Sequence, residues 1–188
     1  MRGMNRIMIV VAGVLMSCLP SMAQKFGLST NLLEDLCLGT MNMELSYSLS
    51  QKWTLTAGAK YNPFTFKGDE PAGQFQLRQR SVALGARMWP WHTGSGWWLA
   101  GKLRYQEYSW GGLLKKTSQE GDRYGAGLYA GYTYMLNAHI NLEFALGCWA
   151  GLDDYRRYSC ANCGFTLDSG RKAFLLPDDM MLALVYVF

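Results

Sequence analysis

Past residue 24 the chain has no uncharged apolar run of the roughly 20 residues that a membrane-spanning helix requires, so any crossing of a bilayer falls to strands. Histidine is almost missing: His92 and His139 are the only two, which starves any chemistry built on an imidazole base. Proline is scarce at 5 residues, whereas glycine reaches 21 and aromatics 14%. The net charge of +4 is spread along the chain rather than gathered, and nucleic-acid binding, which leaves a basic stripe or patch, is excluded. A single Cys-x-x-Cys is present at Cys160 and Cys163, with no second pair and no neighbouring histidine. A structural zinc site wants four protein ligands, so no metal is expected, and nothing calls for a cofactor.

The first stretch is a processing signal rather than structure. Arg2 and Arg6 precede an uncharged apolar run over 7–19, Pro20 breaks it, and Ser21-Met22-Ala23 sets small residues before Gln24. Cleavage after Ala23 leaves 24–188 as one domain. A retained helix is disfavoured because the run is too short to span. Lipid attachment at Cys18 is the competing reading, although Met16 fits that pattern poorly. Export implies an oxidising compartment, so a local disulfide between Cys160 and Cys163 is expected. A redox role would want a helix N-terminus beside the thiols, and none is evident. For Cys37 and Cys148, mutual pairing and a lone, apolar-packed Cys148 thiol are both open.

Period-two alternation runs through most of what remains. Ile140, Leu142, Phe144 and Leu146 alternate with Asn141, Glu143, Ala145 and Gly147; the same split recurs over 41–49, 53–61 and 123–136. Weaker versions cover 26–32, 80–89, 97–110 and 180–188, giving eight strands. Helices are excluded because apolar residues recur at two, not at three or four. Connections alternate between short (50–52, 90–96, 137–139) and mostly long (34–40, 63–79, 111–121, 154–177), as in outer-membrane barrels with short periplasmic turns and long extracellular loops. Trp53, Trp89, Trp91, Trp97 and Trp98 gather beside the short turns. Tyr61, Phe64, Tyr108, Trp110, Tyr124 and Trp149 lie toward the long loops, which predicts two aromatic girdles. The last strand ends on Tyr186 and Phe188, the form of signal read by the barrel-assembly machinery. The expected fold is therefore all-β: an eight-stranded antiparallel up-and-down transmembrane β-barrel.

With apolar faces toward lipid, Glu44, Lys60, Arg87, Lys102, Arg104 and Glu143 point inward. An eight-stranded barrel is just wide enough for side chains to fill, so these six are read as a charged plug rather than a channel lining. Bases exceed acids by two, and lumenal water or exposure near the ends has to carry the surplus. Outer-leaflet lipid modification is the sharpest rival function. It needs a base beside a serine at the outer leaflet, and both histidines sit at short turns. A soluble lipocalin-like barrel is the second rival. Asp153 and Asp154 point to opposite faces if on a strand, and are read as loop solvation or a loose cation site. The run from Asp153 to Tyr158 is the densest charged and aromatic patch, on a loop suited to binding.

Several motifs then occur in order: Thr30-Asn31-Leu32-Leu33, Lys52-Trp53-Thr54-Leu55 leading to Tyr61-Asn62-Pro63-Phe64, Gly125-Ala126-Gly127 with Gly131-Tyr132, and Cys160-x-x-Cys163-Gly164. This order resembles the domain-of-unknown-function family 3575, exported barrel-like proteins of Bacteroidota, over nearly the whole mature chain. Glu34 stands where the family pattern expects an aromatic. The resemblance implies an outer-membrane location, no established activity and no catalytic residues, with some members linked to fimbrial assembly. The expected role is non-enzymatic: envelope structure or surface binding. Expected partners are outer-membrane lipid and lipopolysaccharide, the assembly machinery, and a surface or fimbrial protein. If the terminal signal operates, deleting Phe188 reduces assembled barrel severalfold, read as loss of the heat-modifiable band on gels of outer membranes; normal assembly would refute it.

Overall fold

The computed structural model describes residues 25–36, 39–66, 75–111, 117–159, 165–177 and 180–188. Wherever apolar residues alternate with polar or small ones, the backbone is extended, because a pleated strand sends successive side chains to opposite faces. The elements are β1 (Phe26–Asn31), α1 (Leu32–Leu36), β2 (Met41–Ser48), β3 (Trp53–Asn62), β4 (Thr65–Phe66), β5 (Phe75–Met88), β6 (Gly96–Gly111), β7 (Ser118–Met135), β8 (Ile140–Tyr158), β9 (Thr166–Pro177) and β10 (Met181–Val187). Among the described residues the five-residue α1 is the only helix, and no helix is long and apolar enough to cross a membrane.

Strands pair antiparallel with their neighbours in chain order, and β4 is a short appendage on β5. β9 and β10 share one edge of β8: β9 lies against Cys148 to Tyr158, and β10 against Ile140 to Ala145. Together they form the eighth wall strand, and β10 closes the barrel on β1. The stagger is readable from the pairing. A row leaving β8 at Asn141 runs through Val185, Ser29, Glu44, Gly58, Ala83, Arg104 and Gly125, and returns to β8 at Gly151, ten residues farther on. Ten residues of stagger over eight strands correspond to a strand tilt of about 40°. The start of β1 and the end of the chain meet at the short-turn end, where the Phe188 amide donates to the Phe26 carbonyl at 2.9 Å.

Leu142, Phe144, Leu146, Cys148, Ala150 and Leu152 form the outward row of β8. Phe144, Leu184 and Tyr186 are exposed on the outer face and Leu142 is half-buried there. The inner face holds the large buried groups, and inward glycines make the room for them. A Cβ on Gly131 would lie 2.4 Å from the Trp98 ring, and one on Gly147 would lie 2.2 Å from the Tyr129 ring. Gly94 and Gly96, with φ of 84° and 79°, shape the turn beneath the barrel in a region that favours glycine.

Four aromatic placements differ from the girdle expectation. Trp53, Trp91 and Trp97 are exposed at the short-turn end, but Trp89 and Trp98 are buried inside. Tyr108 and Trp149 also turn inward. The reason is register: Trp97 and Trp98 are consecutive, so only one can face out. The long connections shrink as well. The segment 154–177, expected to be a loop, contains the end of β8 and all of β9; 63–79 holds β4 and the start of β5; 34–40 contains most of α1. Cys37, Cys160, Cys163 and the segment 1–23 lie outside the described residues. Gly131→Ala is expected to destabilise the barrel by about 1–3 kcal/mol through overpacking, whereas Gly101→Ala, with open space around its Cβ, stays within about 0.5 kcal/mol; urea unfolding in detergent micelles reads both.

Candidate functional site

The barrel interior is built from inward positions of six strands, which the ten-residue stagger brings to similar heights. At the short-turn end two tryptophans form the floor. Trp89 Nε1 donates to Thr54 Oγ1 at 3.0 Å, and Trp98 Nε1 to Thr133 Oγ1 at 3.1 Å. Their rings lie 6.2 Å apart. Above them, Arg87 bridges two acids from opposite walls. Its Nη1 donates to Glu143 on β8 at 2.8 Å, and its Nη2 pairs with Glu44 on β2. The Arg87 guanidinium also covers the Trp98 ring at 4.4 Å. Glu143 accepts a further bond from Thr133 at 3.1 Å, and Glu44 takes a second cation, Lys102. Every charge in this layer has an opposite charge beside it, the condition for keeping ions away from bulk water.

The other two inward cations are satisfied differently. Arg104 stacks over Trp149 at 5.1 Å and donates to the Tyr129 hydroxyl at 3.3 Å, a cation–π contact joined to a hydrogen bond. Lys60 pairs with Glu34. That acid sits on α1, which folds against β10, β2 and β1. Glu34 also accepts from Asn31 Nδ2 at 2.8 Å. The interior therefore contains a third acid, which reduces the excess of bases over acids from two to one. Sequence alone missed it because Glu34 lies in no alternating segment; its departure from the family pattern was the available signal.

A second interior cluster lies toward the long-hairpin end. Asp153, fully buried, accepts from the Tyr108 hydroxyl at 2.8 Å and pairs with Arg123 at 3.2 Å and Lys172 at 3.5 Å. The Arg123 guanidinium is held between aromatic rings, 4.0 Å from the centre of Tyr108 and 4.7 Å from that of Trp110. The expectation that Asp153 and Asp154 are solvated loop residues or a cation site is therefore corrected. Both belong to β8: Asp153 faces inward and is neutralised, and Asp154 faces outward, gripped by Arg171 with Nη2 at 3.0 Å. The Arg171 guanidinium holds the Asp154 carboxyl below the usual carboxylate range. No group of three or more His, Cys, Asp or Glu side chains among the described residues is placed to hold a metal ion.

A cleft of about 960 Å³ lies at the long-hairpin end among Arg78, Arg80, Glu107, Glu120 and Asp154, and little space is left below it. A chamber of about 60 Å³ lies among Glu34, Glu44, Lys60, Lys102, Arg104 and Tyr129. A vestibule of about 140 Å³ opens below Arg87, Trp89 and Glu143. Arg87 lines the vestibule and Trp98 the chamber, and the two stack on each other between them. Outside, apolar side chains give way to charge beyond Tyr61, Tyr105 and Tyr124. There Arg80 pairs with Glu107, and the Tyr105 hydroxyl donates to Asp122 and Glu107, each at 3.2 Å. Cys148 is a free, exposed thiol on the outer face. His92 and His139 lie at the short-turn end, in the turns 89–95 and 137–139.

Over residues 7–188 the chain matches the family described as protein of unknown function (DUF3575), and it belongs to that family. No curated protein and no solved structure matches it.

Truncating the central cation leaves Glu143 buried without its counter-charge and Glu44 with Lys102 alone. Arg87→Ala is expected to cost about 3–5 kcal/mol. In a double-mutant cycle with Glu143→Gln, the coupling should be about 1–3 kcal/mol, measured by equilibrium unfolding in micelles; additive effects would show that the bridge carries no energy.

Proposed function

We propose, with membership of that family as the premise, that the chain is a non-enzymatic outer-membrane barrel with a plugged lumen. It serves envelope structure or surface binding through its long hairpins. The observation that carries this reading is the exposed apolar band. The outward row from Leu142 to Leu152 spans ten residues, which at a tilt of about 40° gives a height of about 25 Å, the thickness of the apolar band on outer-membrane barrels. Trp53, Trp97, Tyr132, Tyr134 and Tyr186 edge this band at the short-turn end, and Tyr61, Tyr105 and Tyr124 edge it at the other. A folded chain exposing this much apolar surface in one continuous belt needs lipid around it.

Under this reading the short turns face the periplasm and the long hairpins face outward. The signal at 1–23 is removed after Ala23, the terminal Tyr186 and Phe188 engage the assembly machinery, and the charged pairs above Tyr105 and Tyr124 meet lipopolysaccharide headgroups. The fimbrial link rests on the family resemblance alone. The interior favours a plug over conduction, because below the cleft at the long-hairpin end paired charges and stacked rings leave only separate small chambers. A lipocalin-like role is disfavoured by the exposed apolar band, since a soluble barrel turns its apolar faces inward. Lipid modification is disfavoured by the position of both histidines, at the end away from the outer leaflet.

Two measurements test this. The protein should require detergent for extraction and migrate as a heat-modifiable band; release in salt or alkali without detergent would overturn the membrane assignment. In planar bilayers it should show no steady conductance, and large stable single-channel steps would overturn the plug.

A further inference from the structure

The short-turn rim carries a further cavity, on the outer face of the wall. It measures about 410 Å³ and is lined by Trp91, His92, Ser95, Gly96, Trp97 and Tyr132. Trp97 on β6 and Tyr132 on β7 are cross-strand partners on the outward face, with their rings edge to face at 5.3 Å. Trp91 comes from the turn 89–95 and lies over Gly96, where a Cβ would stand 3.5 Å from its ring. The backbones of His92 and Ser95 bridge antiparallel, and residues directly opposite in such a bridge send their side chains to one face. No acid, lysine or arginine lines the cavity among the described residues. An aromatic girdle needs rings only at the right height. Here three rings from separate segments converge on one space of ligand size.

A trough leads from this cavity into the apolar band. Ala130 stands two residues above Tyr132 on the outward face of β7, and Gly101 on β6 lies diagonally across from it. Ala86 on β5 pairs with Gly101, which has open space where a Cβ would stand. Leu99, Leu84 and Leu128 project on either side.

We propose that the cavity binds the zwitterionic headgroup of a phospholipid, with an acyl chain lying in the trough. This rests on the membrane reading above, which sets headgroups at the height of the short-turn rim. The ammonium sits against the Trp91, Trp97 and Tyr132 rings, whose faces attract cations, and with no carboxylate beside them those faces are its counterpart. The phosphate accepts from the Ser95 hydroxyl and a His92 ring N–H. An anionic lipid such as phosphatidylglycerol brings the phosphate without the cation and forfeits the larger part of the site.

The test uses the full-length mature protein folded in maltoside micelles, with folding checked by heat-modifiability and bound lipid measured by native mass spectrometry. The probes are dioleoyl phosphatidylethanolamine, dioleoyl phosphatidylglycerol and soluble glycerophosphoethanolamine. Phosphatidylethanolamine should bind about tenfold tighter than phosphatidylglycerol. Trp91→Leu and Trp97→Leu keep apolar bulk but remove the ring face; each should weaken phosphatidylethanolamine about fivefold and leave phosphatidylglycerol unchanged. Tyr132→Phe keeps the ring and should keep the preference. Gly101→Leu fills the trough and should weaken the lipid but not the soluble headgroup. Equal affinity for the two lipids, or a preference that survives both tryptophan substitutions, would overturn the site. A soluble headgroup binding as tightly as the lipid would overturn the lipid as its occupant. A heat-modifiable barrel without lipid preference refutes this inference alone, whereas a chain needing no detergent refutes the membrane reading beneath it.

Discussion

Arg87 sits between Glu44 of β2 and Glu143 of β8, and the interior is organised around that bridge. A closed barrel of eight strands has an inside too narrow for bulk water and too polar for an oil-like core. Each inward ion must find its partner across the lumen or be expelled. Arg87 neutralises two acids from separate walls and stacks on Trp98, and Trp98 in turn is tied to Thr133, which donates to Glu143. Moving any one of these disturbs the others, so the lower half of the barrel behaves as one packed unit.

The upper half solves the same problem with different materials. Arg104 and Arg123 rest on aromatic faces, and Asp153 is shared by Arg123, Lys172 and the Tyr108 hydroxyl. Aromatic residues that would otherwise edge the exposed apolar band are turned inward and hold guanidinium groups. The hairpins above this cluster continue beyond the apolar band as a sheet, with β9 at its edge.

Much of the wall was legible before any coordinates. The alternation through Ile140 to Gly147 and Met41 to Leu49 assigned strands and faces, and Glu44, Arg87, Lys102 and Glu143 were placed inward by counting residues in twos. The chain from Asp154 to Pro177 was not legible as strand, because Arg156, Arg157, Asp168, Arg171 and Lys172 are polar on both faces once the strand passes the exposed apolar band. Glu34 was illegible for another reason: its role comes from where a five-residue helix folds back, and no periodic pattern marks that.

What the chain determined by itself is the direction of each side chain relative to its neighbours. That is a local property of the extended backbone, and it is enough to specify a closed wall with a greasy exterior and a polar interior. Which inward groups meet was decided only by the tertiary structure. Arg87 and Glu143 lie 56 positions apart, and their meeting depends on a ten-residue stagger accumulated over the whole circuit of strands. Trp98 rather than Trp97 fills the floor through the same global phase, since a one-residue shift of β6 would exchange the two.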